Sequence, residues 1–97
     1  MKYNQMFESL RSDALKSSKN RRGQVEIIAD ILSAARDGAL KTQIVYKANL
    51  NFARVKSYLD YLEEKGLLEN SGPIYTLTER GKKFLLDYQT MKETLLT

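Results

Sequence analysis

Between Arg22 and Arg36 the apolar positions Val25, Ile28, Leu32 and Ala35 recur on one stripe, and Ile27 and Ile31 widen it. That spacing predicts a core-facing helix, which Gly38 would end in a left-handed cap. Ala39 and Leu40 fit a strand of one or two residues, after which Thr42 would cap a short helix over about residues 43–48. This helix offers Ile44 and Val45 to the core, and Leu50 would plug the turn that follows. Asn51 is placed to cap the next helix, which runs to Lys65 with Gly66 just beyond. Behind that cap, Phe52, Val55, Leu59 and Leu62 follow at steps of three, four and three, one buried stripe. The opposite face carries Ala53, Arg54, Ser57 and Tyr61, flanked by Lys56 and Tyr58.

The pattern then switches. Leu67 and Leu68 begin a strand, Asn70-Ser71-Gly72-Pro73 has turn chemistry, and Ile74 to Leu77 form a second strand. Pro73 has no amide to donate to a ladder, so it belongs at the hairpin tip or a free edge. Thr78 would cap a last helix on which Leu77, Gly81, Phe84, Tyr88, Met91 and Leu95 form a heptad seam. A domain of this size needs only the first part of that helix, so Phe84, Tyr88, Met91 and Leu95 are the expected contacts of a homodimer. At the other end, Met6, Phe7, Leu10 and Ala14 share a face of an amphipathic segment that breaks at residues 17–20.

The two middle helices enclose a tight turn of about four residues and carry four basic side chains and no acid from Gly38 to Leu59. A short helix, a turn and a second helix with a basic outer face present a helix to the major groove of DNA. The expected DNA contacts are Arg54, able to grip guanine or phosphate bidentately, with Ala53, Ser57 and Asn51 on the same helix. Lys41, Lys47 and Lys56 are the phosphate-contact candidates. Tyr46, Tyr58 and Tyr61 lie among these bases, where aromatic side chains either touch nucleic acid or stand half-buried with a wet hydroxyl.

Charge sharpens this picture. The 97 residues carry 16 bases and 12 acids, a net charge of +4, and residues 1–22 hold six of the bases and two of the acids. The whole excess lies in that segment, where Arg21 and Arg22 would add phosphate contacts by counterion release, unless the segment is only a solubilising tail. Hydrophobic content of 42% and charged content of 29% are those of an ordinary globular domain. No apolar run approaches the roughly 18 residues that cross a membrane, and the first residues lack the apolar stretch of a signal peptide. With no cysteine for a disulfide frame, the expectation is a cytoplasmic, nucleoid-associated protein.

Catalysis has little to build on. With no His and no Cys the usual general base and thiol nucleophile are missing. Glu63 and Glu64 are adjacent and diverge on a helix, and no loop clusters acids for a metal, so no cofactor or metal is expected.

The order helix, helix-turn-helix, hairpin, long helix is that of a winged helix. The phrases RRGQVEIIADIL, GALKTQIVYKANL, YLDYLEEKGLLE and YTLTERGKKFL closely resemble the archaeal winged helix-turn-helix DNA-binding proteins, which include small chromatin-associated proteins and transcriptional regulators. The resemblance covers residues 21 to about 90. It implies a mainly α fold with a small β-hairpin, double-stranded DNA as partner, and dimers built through the C-terminal helix. It places Ala53, Arg54 and Ser57 on the recognition helix, and Lys41, Thr42 and Lys47 near the DNA backbone. The hairpin departs from the pattern, because Glu69 to Tyr75 contains no base. The expected organisation is a basic extension over residues 1–20, helical or mobile, a winged helix-turn-helix domain over 21–77, and a C-terminal helix over 78–97 that completes the core and dimerises. A winged helix that binds only protein is the alternative.

Overall fold

The computed structural model describes residues 22–96; the expectations for residues 1–20 and for Arg21 lie outside them. Four helices and three short strands follow in the order α1 (Gln24–Ala34), β1 (Ala39–Leu40), α2 (Lys41–Ala48), α3 (Phe52–Glu64), β2 (Leu68–Ser71), β3 (Ile74–Leu77) and α4 (Glu79–Leu96). The strands make one antiparallel sheet in the order β1-β3-β2. In it Ala39 pairs with Tyr75, Leu40 with Ile74, and Leu68 with Leu77. The hairpin is therefore a wing steadied by a third strand, and Gly72 and Pro73 form its tip while Asn70 and Ser71 belong to the ladder.

The core follows the apolar stripes. Ile31, Leu32, Ile44, Val55, Leu59 and Leu62 are almost completely buried, joined by Leu68, Leu77 and Leu85 from the hairpin and α4. Burying a side chain of this kind is worth about 1.5–3 kcal/mol, so the layer where α1, α2 and α3 meet holds the domain together. No polar or charged side chain is buried among the described residues.

Three local expectations are corrected. α2 begins at Lys41, before the Thr42 cap expected for it, and Thr42 lies exposed in its first turn. The Leu40 amide that such a cap would leave over donates instead to Gln43 Oε1 at 2.8 Å, so a side chain reaching back from inside the helix does the capping. The turn between α2 and α3 has three residues, Asn49 to Asn51. It closes because Asn49 adopts the left-handed conformation at φ 58°, which Asn tolerates better than most residues. Finally, Phe52 is not part of the buried stripe: it is 53% exposed.

Thr78 and Gly81 fix the start of α4. The Thr78 hydroxyl donates to the Gly66 carbonyl at 2.6 Å and accepts from the Gly81 amide at 2.9 Å, tying the helix start to the end of α3. A Cβ on Gly81 would lie 2.1 Å from the Leu67 carbonyl oxygen. Only glycine allows the backbone to approach so closely.

Candidate nucleic-acid interface

α3 presents the site. Asn51 caps it as expected: its Oδ1 accepts from the Arg54 amide at 2.8 Å, which leaves the side-chain amide nitrogen for another partner. With about 100° of rotation per residue, Ala53 and Ser57 fall opposite the buried Val55, Leu59 and Leu62. Arg54 and Tyr61 border that outer face on one side, Phe52 and Lys56 on the other. All six are exposed.

The cations of this region differ in how free they are. The Arg54 guanidinium has no partner among the described residues. Lys56 Nζ lies 3.4 Å from Asp60 Oδ2 in an ion pair whose two side chains are 64% and 65% exposed. A pair so open to solvent is worth a few tenths of a kcal/mol, about 0.3–0.5 for this spacing, and a phosphate can displace it. Lys41 is half-buried beside the sheet and Thr42 is exposed. Lys47 is exposed without an ion-pair partner among the described residues, but it faces α1. There it lines a shallow depression of about 290 Å³ with Asp30, Ser33 and Ala34. α2 instead turns Tyr46, at 87% exposure, directly outward.

Arg22 is used otherwise. Its guanidinium is ion-paired with Asp30 and donates to the carbonyls of Ala48, at 2.7 Å, and Asn49, at 3.4 Å. Those carbonyls end α2, where a positive charge is favoured by the helix dipole. Arg22 thus clamps the segment before α1 to the helix-turn-helix, and its fork is spent on protein acceptors. Nothing in its sequence neighbours RRG announced this, since the clamp needs Asp30 and Ala48, 8 and 26 residues away.

The wing adds no cation. Glu69, Asn70, Ser71, Gly72, Pro73 and Ile74 are all exposed, and none is basic. On α4 the expected dimer seam divides. Phe84 and Tyr88 are half-buried against the domain's own core, and burial together with the nearby carboxylates of Glu26 and Asp30 raises the Tyr88 pKa. Farther along, Met91 is half-exposed while Leu95 and Leu96 are 70% and 76% exposed. Sequence reasoning missed one member of this face, Phe52, and left open whether Tyr46 faces outward. Their only signal is that they lie within the acid-free stretch, and a stripe of apolar residues does not reveal where its core ends.

Known proteins share this architecture. The winged helix-turn-helix family model matches residues 21–96. An uncharacterised protein of Methanocaldococcus jannaschii is 37% identical over 75 residues, which is 71% of this chain and 77% of that protein. A second uncharacterised protein of the same organism is 35% identical over 66 residues, 67% of this chain but 31% of that protein. Among solved structures, Sso10a-2, a DNA-binding protein from Sulfolobus solfataricus, is 30% identical with a TM-score of 0.65, covering 77% of this chain and 86% of that one. The S. solfataricus transcriptional regulator BldR superimposes with a TM-score of 0.67 over 97% of this chain and 70% of its own. At 17% identity it speaks for the fold alone. With the family model matched from the start of the described residues to their end, and with archaeal relatives on both counts, this chain belongs to the winged helix-turn-helix family.

Proposed function

We propose that this chain binds double-stranded DNA as a homodimer, with α3 in the major groove. The observation that carries this is the outer face of α3, where an unpaired Arg54 stands beside Ala53 and Ser57 in a stretch without acids from Gly38 to Leu59. Base edges are contacted from the N-terminal turns of such a helix, and Arg54 lies in the first of them. Lys41, Lys47, Lys56 and Thr42 supply backbone contacts, joined by Arg21 on the segment ahead of α1, while Asn51 adds the free half of its amide. A dimer built through Met91 and Leu95 sets two recognition helices against half-sites one helical turn apart, about 34 Å.

The small number of side chains able to bond a base edge favours an architectural protein over a regulator of narrow specificity. A DNA-binding relative, Sso10a-2, and the regulator fold of BldR are compatible with either role. The competing reading is a winged helix that binds only protein, and it draws on the wing, whose exposed residues include Glu69 and no base.

Fluorescence anisotropy of a labelled random-sequence duplex at about 50 and 200 mM salt tests the reading, because log affinity falls with log salt at a slope near −0.9 per phosphate neutralised. A slope of several units, with a loss of roughly tenfold or more on Arg54→Ala, is the expected result. An undetectable affinity at the lower salt, for random and selected duplexes alike, rejects DNA binding in favour of the protein module. Selection from a random pool then separates the two DNA roles: an architectural protein enriches no motif.

A further inference from the structure

Phe52 is out of place by the logic of the core. It continues the spacing of Val55, Leu59 and Leu62, yet it leaves 53% of its surface in water, at the first residue of α3. A lone exposed apolar side chain needs no explanation. This one has a setting. Its neighbour Ala53 puts a methyl group on the outer face one residue on, and the exposed charges in the first two turns of α3, Arg54 and Lys56, are both positive. An apolar spot flanked by cations complements a surface that is anionic at its rim and partly apolar within.

The major groove of DNA is such a surface. Phosphates line its edges, and each thymine projects a 5-methyl group into it, which no other base carries. The N-terminal turn of a recognition helix is the part that meets base edges. In the first two turns of α3 the exposed side chains are Phe52, Ala53, Arg54, Lys56 and Ser57. None of them carries the amide that pairs with adenine or the carboxylate that accepts from cytosine. Apolar contact is therefore the means of base discrimination that this surface offers besides Arg54, Ser57 and the free amide nitrogen of the capping Asn51.

We propose that Phe52 and Ala53 form a reader of thymine methyl groups, giving this chain a preference for A·T-bearing duplexes over and above its attraction to phosphate. The inference rests on the reading of α3 as the groove-entering helix and names what that helix recognises. Preference of this kind is graded, since each methyl contributes independently of exact sequence. It suits a protein that settles along compositionally biased DNA.

The test replaces thymine by deoxyuridine, which keeps base pairing and phosphate charge and removes only the methyl. The full chain is titrated by anisotropy against one A·T-rich duplex made in both forms. The thymine duplex should bind tighter by about fourfold for each methyl fully covered, the equivalent of one buried CH₂. Phe52→Ala should lower affinity for the thymine duplex towards that for the uracil duplex and leave the salt slope intact. Phe52→Leu, still apolar, should keep part of the preference, and Lys47→Ala should weaken both duplexes alike. Thermal melting of the Phe52 variants should fall only modestly, because half of the ring is already in solvent. Equal affinity of the parent for both duplexes, or a ratio that survives Phe52→Ala, overturns the proposal while leaving DNA binding standing. Failure to bind either form at low salt removes both readings together.

Discussion

At the scale of single residues, two positions have roles set by atoms distant in sequence. Gly81 reads in the sequence as a small residue suited to helix packing. In the fold it is the point where α4 rests on the Leu67 carbonyl, with no room for even one carbon. Gly81→Ala should therefore lose about 3 kcal/mol or more, the upper range for overpacking, since backbone must move to admit the methyl. Urea unfolding measures it, and a loss below about 1 kcal/mol would mean that α4 shifts freely on the hairpin. Arg22 presents the reverse case. The sequence places it in a basic arm beside Arg21, whereas its guanidinium holds Asp30 and the last carbonyls of α2. Arg22→Met keeps the apolar stem and removes the fork, so stability should fall by about 1–3 kcal/mol, as for hydrogen bonds to a charged group. The salt slope of DNA binding should stay unchanged. A slope reduced by about one unit, with stability intact, would return Arg22 to the phosphate contacts.

At the scale of elements, the helices were legible because each carries a strong amphipathic stripe and punctuation that matches it. The Asn51 cap begins α3 where the sequence puts that signal, whereas α1 already ends at Ala34 with Ala35 as its cap, and Gly38, at φ 91°, turns the chain towards β1 three residues later. The misreadings share one cause, which is that periodicity describes a helix and not its neighbours. Thr42 is a capable cap, but Gln43 reaches the Leu40 amide first. Phe52 keeps step with the stripe, but the core stops short of it. The packing of α4 on α1 carries a pH signature of its own. Tyr88 sits there with its pKa raised, first by burial and then by Glu26 and Asp30. A raised pKa means that the folded state holds the phenol proton more tightly than the unfolded chain does. The associated stability is present below the ordinary value of 10.0 and is lost as pH climbs through the higher folded value. Tyr88→Phe should leave stability nearly unchanged at neutral pH and lessen its decline above pH 10 relative to the parent, as followed by denaturant midpoints. Parallel curves for the two proteins would mean that the phenol is as free in the folded state as in the unfolded one.

At the scale of the whole molecule, the described domain is nearly neutral. Residues 22–96 carry eleven bases and ten acids, so the proposed DNA binding rests on where the charges lie and not on their sum. Along the chain the bases of the helix-turn-helix run without acids from Gly38 to Leu59, although Lys56 meets Asp60 one turn on and Lys47 lies across from Asp30. That run was visible in the sequence. Its geometry was not, because Lys47 turning to α1 and Tyr46 turning outward depend on how α2 sits in the fold. Such a domain gains by pairing, since two modest faces joined rigidly bind DNA far better than one. The stripe on α4 offers the means. Phe84 and Tyr88 spend its first half on the domain's own core, and Met91 and Leu95 prolong it past the point where that core can cover them. At about 1.5 Å per residue the final two turns are too short to hold two chains together as a coiled coil alone. The contact should therefore be sensitive to a single charge. Leu95→Glu, 70% exposed within one chain, should leave the melting of the isolated domain nearly unaltered. It should convert a dimer into a monomer in sedimentation equilibrium at micromolar concentration. The same variant should lose DNA affinity and about half the salt slope, since one recognition helix then acts without its twin. A Leu95→Glu protein that still sediments as a dimer would place the twofold contact on another surface, and the half-site spacing would have to be drawn from there.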